Sequence, residues 1–289
     1  MNISRGENGN EELRRRSPPE NSKNILKKNW RYPRGFPNLT KQVYGILLEP
    51  KMWRCLRKGK LVKDPIIDAW LQLMKNRALR SDFRVLTFNS SHYALLSQCE
   101  NCPPAELTHW LLKNDCWSKA VWLFPLIYGG HCNILIIIPK SRIFLFMDGP
   151  HKEPPDDLLK QICALMESVK GDLDWSQWTF HQPTDYPVQH PMSNNCAIHV
   201  CAWTCVICTG QELTCQHKEM AKMRRLMAAQ LWAAPEMEVD SSGGNCGDYD
   251  SPVRKSSTTW KDVTWSNRTP GCSRTLEYCA SLIEDRGEL

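Results

Sequence analysis

Three runs of strand-forming residues follow one another in the middle of the chain, and they constrain the fold more than any other feature. The runs, which consist largely of Val, Ile, Leu and Phe, cover residues 120–127, 133–138 and 142–147. The last two flank a turn-forming Pro-Lys-Ser at residues 139–141. Short apolar runs bounded by turn residues are typical of strands in a buried sheet. The sequence therefore predicts that these runs lie in one sheet.

Segments with helical periodicity lie on both sides of these strands. Residues 66–74 carry an apolar stripe, which Asp64 as N-cap and Pro65 at the first helical position can open. The remaining predicted elements are a weaker strand at residues 175–180 and helices at residues 106–112, 196–208 and 216–233. Because helices precede the sheet and helices follow it, the pattern indicates the α+β class.

The composition excludes several classes of protein. Hydrophobic residues make up 42% of the 289 residues and charged residues 24%, as in ordinary globular proteins. No apolar run approaches the roughly 20 residues of a membrane helix, and no signal peptide is recognisable. We therefore expect no membrane contact and an intracellular location in the nucleus, the cytoplasm or both. In such compartments the 14 cysteines are expected as free thiols rather than disulfides.

The two ends of the chain are polar and differ in charge. Residues 1–40 carry nine Lys or Arg against four Asp or Glu, whereas residues 235–289 carry six against ten. Their composition predicts a disordered basic arm and a low-complexity, disordered tail, which leaves residues 41–234 as the folded domain. Three consecutive arginines at residues 14–16 suggest a nuclear-import signal or a nucleic-acid contact. The alternative is a solvated tail with neither role.

His131 and Asp148 stand at the open end of the hairpin that the turn at residues 139–141 would form. A two-residue loop would place them directly opposite each other, with Cβ atoms about 5 Å apart. Proline cannot supply the positive φ of that turn, so a longer loop is expected. A four-residue loop leaves the pair diagonal and still within reach. A carboxylate can orient an imidazole as a general base, although the same pair is also compatible with a surface ion pair.

Cys196 begins the predicted helix at residues 196–208, directly after a polar turn. A thiol at a helix N-terminus lies at the positive end of the helix dipole, which lowers its pKa and favours the thiolate. With an imidazole nearby, it would form a cysteine–histidine nucleophile. The alternative is a thiol that only packs in the core, as Cys201, Cys205 and Cys208 on the same helix would.

The order of four residues along the chain is His131, Asp148, Gln189 and Cys196. This order resembles that of the SUMO/sentrin-specific (ubiquitin-like-protein) cysteine proteases and of the adenoviral protease adenain. The seven-residue spacing from Gln189 to Cys196 is similar to that of adenain, whereas the cellular enzymes have six. The resemblance implies a papain-like or adenain-like α+β fold, with a central mixed β-sheet flanked by helices.

Three further segments carry this resemblance, which covers residues 59–206. Residues 63–71 (Lys-Asp-Pro-Ile-Ile-Asp-Ala-Trp-Leu) are similar to the helix that opens the family's catalytic domain. Residues 85–93 are similar to its Phe-Asn segment, and residues 122–131 to the strand that leads to its catalytic histidine.

The resemblance implies a role for each of the four residues. Cys196 would be the thiolate nucleophile and His131 its general base, later the acid that protonates the leaving amine. Asp148 would hold the imidazole tautomer, and the Gln189 amide with the Cys196 backbone N–H would form the oxyanion hole. The implied function is a cysteine-type peptidase or isopeptidase that cleaves ubiquitin-like, SUMO-type precursors or conjugates, which would be its partners. The alternatives are a catalytically impaired binding module and a viral or transposon-type polyprotein protease.

Four positions depart from the pattern of the family. Leu61 and Cys132 stand where the SUMO proteases have two tryptophans that enclose the diglycine tail of the substrate. Ala197 replaces the glycine after the nucleophile, and Gly149 replaces the serine after the aspartate. The resemblance therefore implies a substrate site with altered selectivity.

Two other features of the sequence are compatible with a different chemistry. The C-x-x-C pairs at residues 99–102 and 205–208 have the spacing of zinc ligands, with His199 and His217 near the second pair. That pair falls in an apolar helix, where side chains three residues apart share a core-facing side, so neither a metal nor a cofactor is expected. His190 is an alternative base close to the nucleophile, but a loop supports it less firmly than a strand would.

Overall fold

The structure, a computed structural model, describes residues 29–79, 84–99, 102–183, 186, 188–210, 216–236 and 264–266. Its helices are α1 (Pro50–Trp53), α2 (Asp64–Leu79), α3 (Ser90–Ser97), α4 (Ala105–Lys113), α5 (Leu158–Lys170), α6 (Cys196–Thr209) and α7 (Met220–Ala233). Its strands are β1 (Lys41–Val43), β2 (Ile46–Leu48), β3 (Val85–Thr87), β4 (Val121–Tyr128), β5 (His131–Ile138), β6 (Ile143–Met147), β7 (Thr179–His181) and β8 (Thr264–Ser266). None of the helices in these ranges is long and apolar enough to cross a membrane.

The predicted elements lie close to their expected positions. The three central strands begin and end within two residues of the predicted bounds. The weak strand predicted for residues 175–180 divides into a 3-10 turn, Trp175–Gln177, and the short strand β7. The turn forms because the Asp174 side chain accepts a hydrogen bond from the backbone N–H of Ser176. The helix predicted for residues 216–233 likewise begins with a 3-10 turn before α7.

A mixed six-stranded sheet with the order β3-β4-β5-β6-β7-β8 forms the centre of the molecule. The hairpins of β4 with β5 and β5 with β6 are antiparallel, and β3, β7 and β8 add to them in parallel. Strands β1 and β2 form a separate antiparallel pair. The predicted α+β class with a central mixed sheet is confirmed.

Each face of this sheet has its own hydrophobic core. On the first face, β-sheet residues such as Ile134 and Ile136 pack with α2, α6 and α7. On the second face, Leu135 and Ile137 pack with α3, α4 and α5. Alternate residues of β5 therefore enter different cores. This double burial explains why the central strands are continuous apolar runs rather than alternating ones.

Two described segments bear on the predicted division into a domain and two arms. Trp30, Tyr32 and Phe36, from the predicted basic arm, pack against the first core. At the other end, β8 lies within the predicted tail and pairs with β7. Aromatic side chains and strand pairing thus bring parts of both predicted arms to the folded unit. Residues 1–28, with the three arginines, lie outside the described residues, and the division itself stays a prediction.

Candidate active site

The hairpin of β5 and β6 brings His131 and Asp148 together. Ile138 pairs with Ile143 across a four-residue loop, which is the longer of the two loops considered from the sequence. Asp148 directly follows β6, so it lies diagonally across from His131, the first residue of β5. A hydrogen bond joins His131 Nε2 to Asp148 Oδ1. The carboxylate is fully buried, whereas 22% of the His131 side chain is exposed.

Asp148 is held in place by contacts that the sequence did not predict. The Tyr186 hydroxyl accepts a hydrogen bond from the Asp148 backbone N–H (2.8 Å) and donates one to the Asp148 carbonyl oxygen (2.7 Å). The second carboxylate oxygen, Oδ2, accepts a hydrogen bond from the Lys152 backbone N–H (2.7 Å). The orientation of the carboxylate toward His131 is therefore fixed by Tyr186 and by the loop after β6.

Cys196 is the first residue of α6, and only 6% of its surface is exposed. Burial raises the pKa of this thiol, but hydrogen bonds from the His131 imidazole and from the backbone of Cys132 and Ala197 outweigh it. The net effect is a pKa below the ordinary value of a thiol. These donors stabilise the charged form, so the site favours a thiolate.

The pKa of His131 shifts in the opposite direction from that of Cys196. Its hydrogen bonds with Asp148 and then with Cys196 raise the pKa of the imidazole to about 9, against the opposing effect of burial. Because Asp148 occupies Nε2, Nδ1 is the nitrogen that remains for the sulfur. A raised imidazole pKa beside a lowered thiol pKa favours transfer of the thiol proton to the imidazole.

Gln189 lies between the segment after β6 and the loop that precedes Cys196. Its backbone N–H donates to the Gly149 carbonyl oxygen (2.8 Å), and its side-chain Nε2 donates to the Ser193 carbonyl oxygen (2.8 Å). A Cβ atom on Gly149 would lie 2.7 Å from Gln189 Oε1 and 3.0 Å from Gln189 Cβ. Glycine at position 149 is therefore required for this close approach. One N–H of the Gln189 amide remains for a further acceptor.

The positions that depart from the family pattern carry no aromatic ring. Leu61 is 50% exposed and precedes α2, whereas Cys132 is buried with only 4% of its surface exposed. Burial raises the pKa of the Cys132 thiol well above its ordinary value, so it stays protonated. Two further exposed apolar side chains, Val188 and Met192, lie on either side of Gln189 in the loop before Cys196. The exposed apolar groups along this loop and beside α2 are aliphatic.

The other candidates from the sequence do not assemble into a site. His190 Nδ1 accepts a hydrogen bond from the Met192 backbone N–H (3.2 Å), and its ring lies 5.3 Å from that of His217. The place beside Cys196 is occupied by His131 instead. Within the described residues, no three His, Cys, Asp or Glu side chains are arranged to hold a metal ion. Cys205 and Cys208 are buried in α6.

A buried arginine is the second feature that sequence reasoning missed. Arg224 on α7 is 1% exposed, and its guanidinium binds the two residues that precede Cys196. A signal for it exists in the sequence, because Arg224 falls on the helical stripe that Met220, Met227 and Leu231 share. A charged residue on an apolar stripe indicates a buried partner. For Tyr186 we find no comparable signal.

The structure therefore brings a cysteine thiol, an imidazole and a carboxylate together on an α+β scaffold. The fold of the chain resembles that of solved SUMO protease structures. No protein-family model matches the sequence, and none of the curated proteins matches it.

Three of these structures illustrate the likeness. The Ulp1-like SUMO protease catalytic domain of Chaetomium thermophilum has a TM-score of 0.58 and 13% identity, over 68% of this chain and 83% of that chain. The C-terminal Ulp1 protease domain in complex with Smt3, the yeast ortholog of SUMO, has a TM-score of 0.54 and 19% identity, over 68% and 88% of the two chains. The SUMO protease Ulp1 with its catalytic cysteine oxidised to a sulfonic acid has a TM-score of 0.55 and 18% identity, over 72% and 90%. The predicted fold is confirmed as that of the Ulp1-like proteases.

Proposed function

We propose that this protein is a cysteine-type peptidase or isopeptidase that cleaves ubiquitin-like, SUMO-type precursors or conjugates. The observation that carries the proposal is the linked set of Asp148, His131 and Cys196, in which the imidazole pKa is raised and the thiol pKa lowered. Structural cysteines in a core show the opposite thiol shift, because burial alone disfavours the thiolate. The likeness to Ulp1-like proteases supports the same activity.

The proposed reaction uses each group in turn. The Cys196 thiolate attacks the carbonyl carbon of the scissile bond, and the carbonyl electrons move to its oxygen. The free N–H of the Gln189 amide and the Cys196 backbone N–H donate to this oxyanion. When the tetrahedral intermediate collapses, the His131 imidazolium gives its proton to the leaving amine, and a thioester remains on Cys196. His131 then takes a proton from water, which attacks the thioester and releases the carboxylate and the thiolate.

A ubiquitin-like modifier is the proposed substrate because one related structure contains Smt3, the yeast ortholog of SUMO. Two observations favour the alternative of a peptide protease of viral or transposon type. Leu61 and Cys132 provide no indole to enclose a diglycine tail, and Gln189 precedes Cys196 by seven residues, as in adenain. Exposed aliphatic side chains at Val188 and Met192 suit a substrate with apolar side chains near the scissile bond.

Covalent labelling tests these alternatives. SUMO, NEDD8 and ubiquitin that carry a C-terminal electrophile are incubated with the wild-type protein and with Cys196→Ala. An adduct with one probe that depends on Cys196 identifies both the nucleophile and the substrate. If no probe reacts although iodoacetamide modifies Cys196 rapidly at pH 6, the peptide protease becomes the better account. If Cys196 is unreactive toward both reagents, the protein is a non-catalytic binding module and the proposal is wrong.

We propose further that the basic N-terminal arm directs the protein to the nucleus, with a nucleic-acid contact as its second possible role. The arginines at residues 14–16 support this role. Because Trp30 and Tyr32 pack against the first core, a deletion should stop at residue 28 to leave the fold intact. We expect deletion of residues 1–28 to abolish nuclear accumulation of a fluorescent fusion. Unchanged localisation would leave the arm as a solvated tail.

A further inference from the structure

Arg224 on α7 is buried, and every N–H of its guanidinium has an acceptor. Nε and Nη2 both donate to Asn195 Oδ1 (3.3 and 2.9 Å), and Nη2 also donates to the Asn194 carbonyl oxygen (2.7 Å). Nη1 donates to the carbonyl oxygens of Cys55 (2.9 Å) and Arg57 (3.2 Å). A guanidinium has five N–H groups, so this set of five hydrogen bonds satisfies all of them.

All these acceptors are neutral oxygens. In the part of the chain that the structure describes, no Asp or Glu forms an ion pair with Arg224. A buried cation without a carboxylate partner is costly unless its donors are fully paired. The planar fork of arginine meets this demand, whereas the three donors of a lysine ammonium cannot satisfy the same four acceptor oxygens. The site is therefore specific for arginine.

Asn195 occupies the N-cap of α6, yet its side chain makes no capping bond to the helix. An N-cap asparagine ordinarily accepts a hydrogen bond from the second or third N–H of its helix. Here the side-chain oxygen is turned to Arg224, while only the backbone oxygen accepts from the His199 N–H (2.9 Å). The N–H groups of the first turn are thus left for other acceptors, and that of Ala197 bonds to the Cys196 sulfur.

The same arginine joins the nucleophile's loop to a distant segment. Cys55 and Arg57 belong to the 3-10 turn Arg54–Leu56 and the residue after it, before α2 begins. A second bond, from Asn194 Nδ2 to the Gly59 carbonyl oxygen (2.9 Å), runs between the same two segments. The two residues before Cys196 are therefore bonded both to α7 and to the segment that precedes α2.

We propose that Arg224 is a positioning residue for the nucleophile, which acts by holding the Asn195 side chain away from the N-terminus of α6. In this position the N–H groups of the second and third residues of α6, including that of Ala197, stay available to the Cys196 thiolate. If Arg224 is removed, the Asn195 side chain is free to cap the helix and to compete for those donors. This inference rests on the proposed function, because it assigns Arg224 a purpose in preparing Cys196.

The pH dependence of Cys196 alkylation tests the inference without any substrate. The rate of carboxamidomethylation of Cys196 is measured by mass spectrometry between pH 5 and pH 9 in the full-length protein. For Arg224→Met and Arg224→Lys, we expect the rate at pH 6 to fall about tenfold, as for a thiol pKa about one unit higher. Asn195→Ala, which breaks two of the five bonds but cannot cap the helix, should retain most of the wild-type rate.

The double variant and a matched control separate positioning from stability. Asn195→Ala in the Arg224→Met protein should recover part of the lost rate at pH 6, because no side chain can then cap α6. Arg225→Met is the control, since Arg225 is the next residue of α7 and donates instead to the Trp30 carbonyl oxygen (3.0 Å). It should keep the wild-type pH profile. Circular dichroism melts of all variants show whether each is folded.

Two results would overturn the inference, and they differ in what else they affect. If wild-type Cys196 is activated at pH 6 and Arg224→Met keeps its pH profile, Arg224 does not position the nucleophile, although the proposed function stands. If the double variant is as slow as Arg224→Met, or slower, competition by Asn195 is excluded. If wild-type Cys196 reacts no faster than the other thiols, both the inference and the proposed function are wrong.

Discussion

The first turn of α6 and the interior of the same helix carry cysteines whose pKa values move in opposite directions. The pKa of Cys196, at the first position, is lowered by hydrogen bonds that outweigh burial. In the interior, burial raises the pKa of Cys205 to about 11 and that of Cys201 well above its ordinary value. Cys208, near the end of the helix, has a raised pKa for the same reason. All four side chains are buried, so burial alone does not distinguish them.

What distinguishes them is the supply of hydrogen-bond donors. In the interior of a helix, the backbone N–H groups are bonded to carbonyl oxygens one turn earlier, so they are not available to a thiol there. Cys205 lies beside the hydroxyl of Thr209 (Sγ to Oγ1, 3.9 Å), which does not outweigh burial. At the first turn these N–H groups have no such partners, and β5 adds the imidazole of His131. A thiol with a lowered pKa therefore requires the start of the helix and the first residue of β5 to meet, and neither element provides it alone.

The largest expected effect is that His131→Ala abolishes the difference in thiol pKa between Cys196 and the interior cysteines of α6. Without the imidazole, burial dominates the pKa of the Cys196 thiol, which should then rise to values like those of the interior cysteines. We expect alkylation by iodoacetamide at pH 6 to slow about 100-fold, as for a shift of about two pKa units. His190→Ala is the matched control, because His190 is exposed in the loop before Cys196. An equal loss in both variants would contradict the assigned pair.

Gly149→Ala should lower kcat without changing the reactivity of the Cys196 thiol, and so distinguish the role of the oxyanion hole from that of the thiolate. The new Cβ atom would lie 2.7 Å from Gln189 Oε1 and displace that side chain. We expect kcat for the substrate identified by labelling to fall about 10²- to 10³-fold, because removal of an oxyanion donor has this scale of effect. The rate of Cys196 alkylation should stay unchanged. In a double-variant cycle, Gln189→Ala should then cause little further loss, and an additive loss would show that the two residues act independently.

Tyr186→Phe should weaken the support of Asp148 while the ring contacts remain. The hydroxyl bonds both the N–H and the carbonyl oxygen of Asp148, and its loss leaves two buried groups without that partner. We expect the free energy of unfolding to fall by about 1–3 kcal/mol. The imidazole pKa of His131, measured by NMR titration, should also be lower than in the wild type. Tyr32→Phe, which removes a single bond to the Leu56 carbonyl oxygen, is the control. It should cost stability without moving the titration of His131.

The smallest expected effect concerns Asp68 on α2. Burial raises the pKa of its carboxyl to about 6, as it raises the thiol pKa values of the interior cysteines, although Ser90 donates two hydrogen bonds to the carboxyl. A raised acid pKa stabilises the fold fully below the unfolded value of about 4, and this contribution is lost as the pH rises through about 6.

Asp68→Asn tests this expectation. The amide can keep both contacts with Ser90 and cannot ionise, so the variant should lack the decline in stability between pH 4 and pH 7.5. Urea titrations should show a difference of about 1–2 kcal/mol between the two proteins at pH 7.5, because partial exposure reduces the full effect. Parallel pH profiles would mean that Asp68 is ionised as easily in the folded as in the unfolded chain.

Much of this arrangement could be predicted from the sequence. The apolar runs predicted strands β4 to β6, and the proline in the turn predicted the longer loop that sets the diagonal placement of His131 and Asp148. The polar turn before Cys196 predicted the start of α6. These features depend on side-chain periodicity and turn chemistry, which neighbouring residues determine among themselves. The fold class follows from the order of such elements.

The contacts that complete the site came only from the tertiary structure. Tyr186 and Asp148 lie 38 positions apart in the chain, and Arg224 and Cys55 lie 169 positions apart. Such contacts depend on how separate elements pack, which no local pattern encodes. The sequence by itself therefore determined which residues have the chemistry and which elements carry them. The packing of α6, α7 and the start of β5 decided which N–H groups, oxygens and rings meet at Cys196, because a pKa is set by the atoms in contact and not by neighbours in the chain.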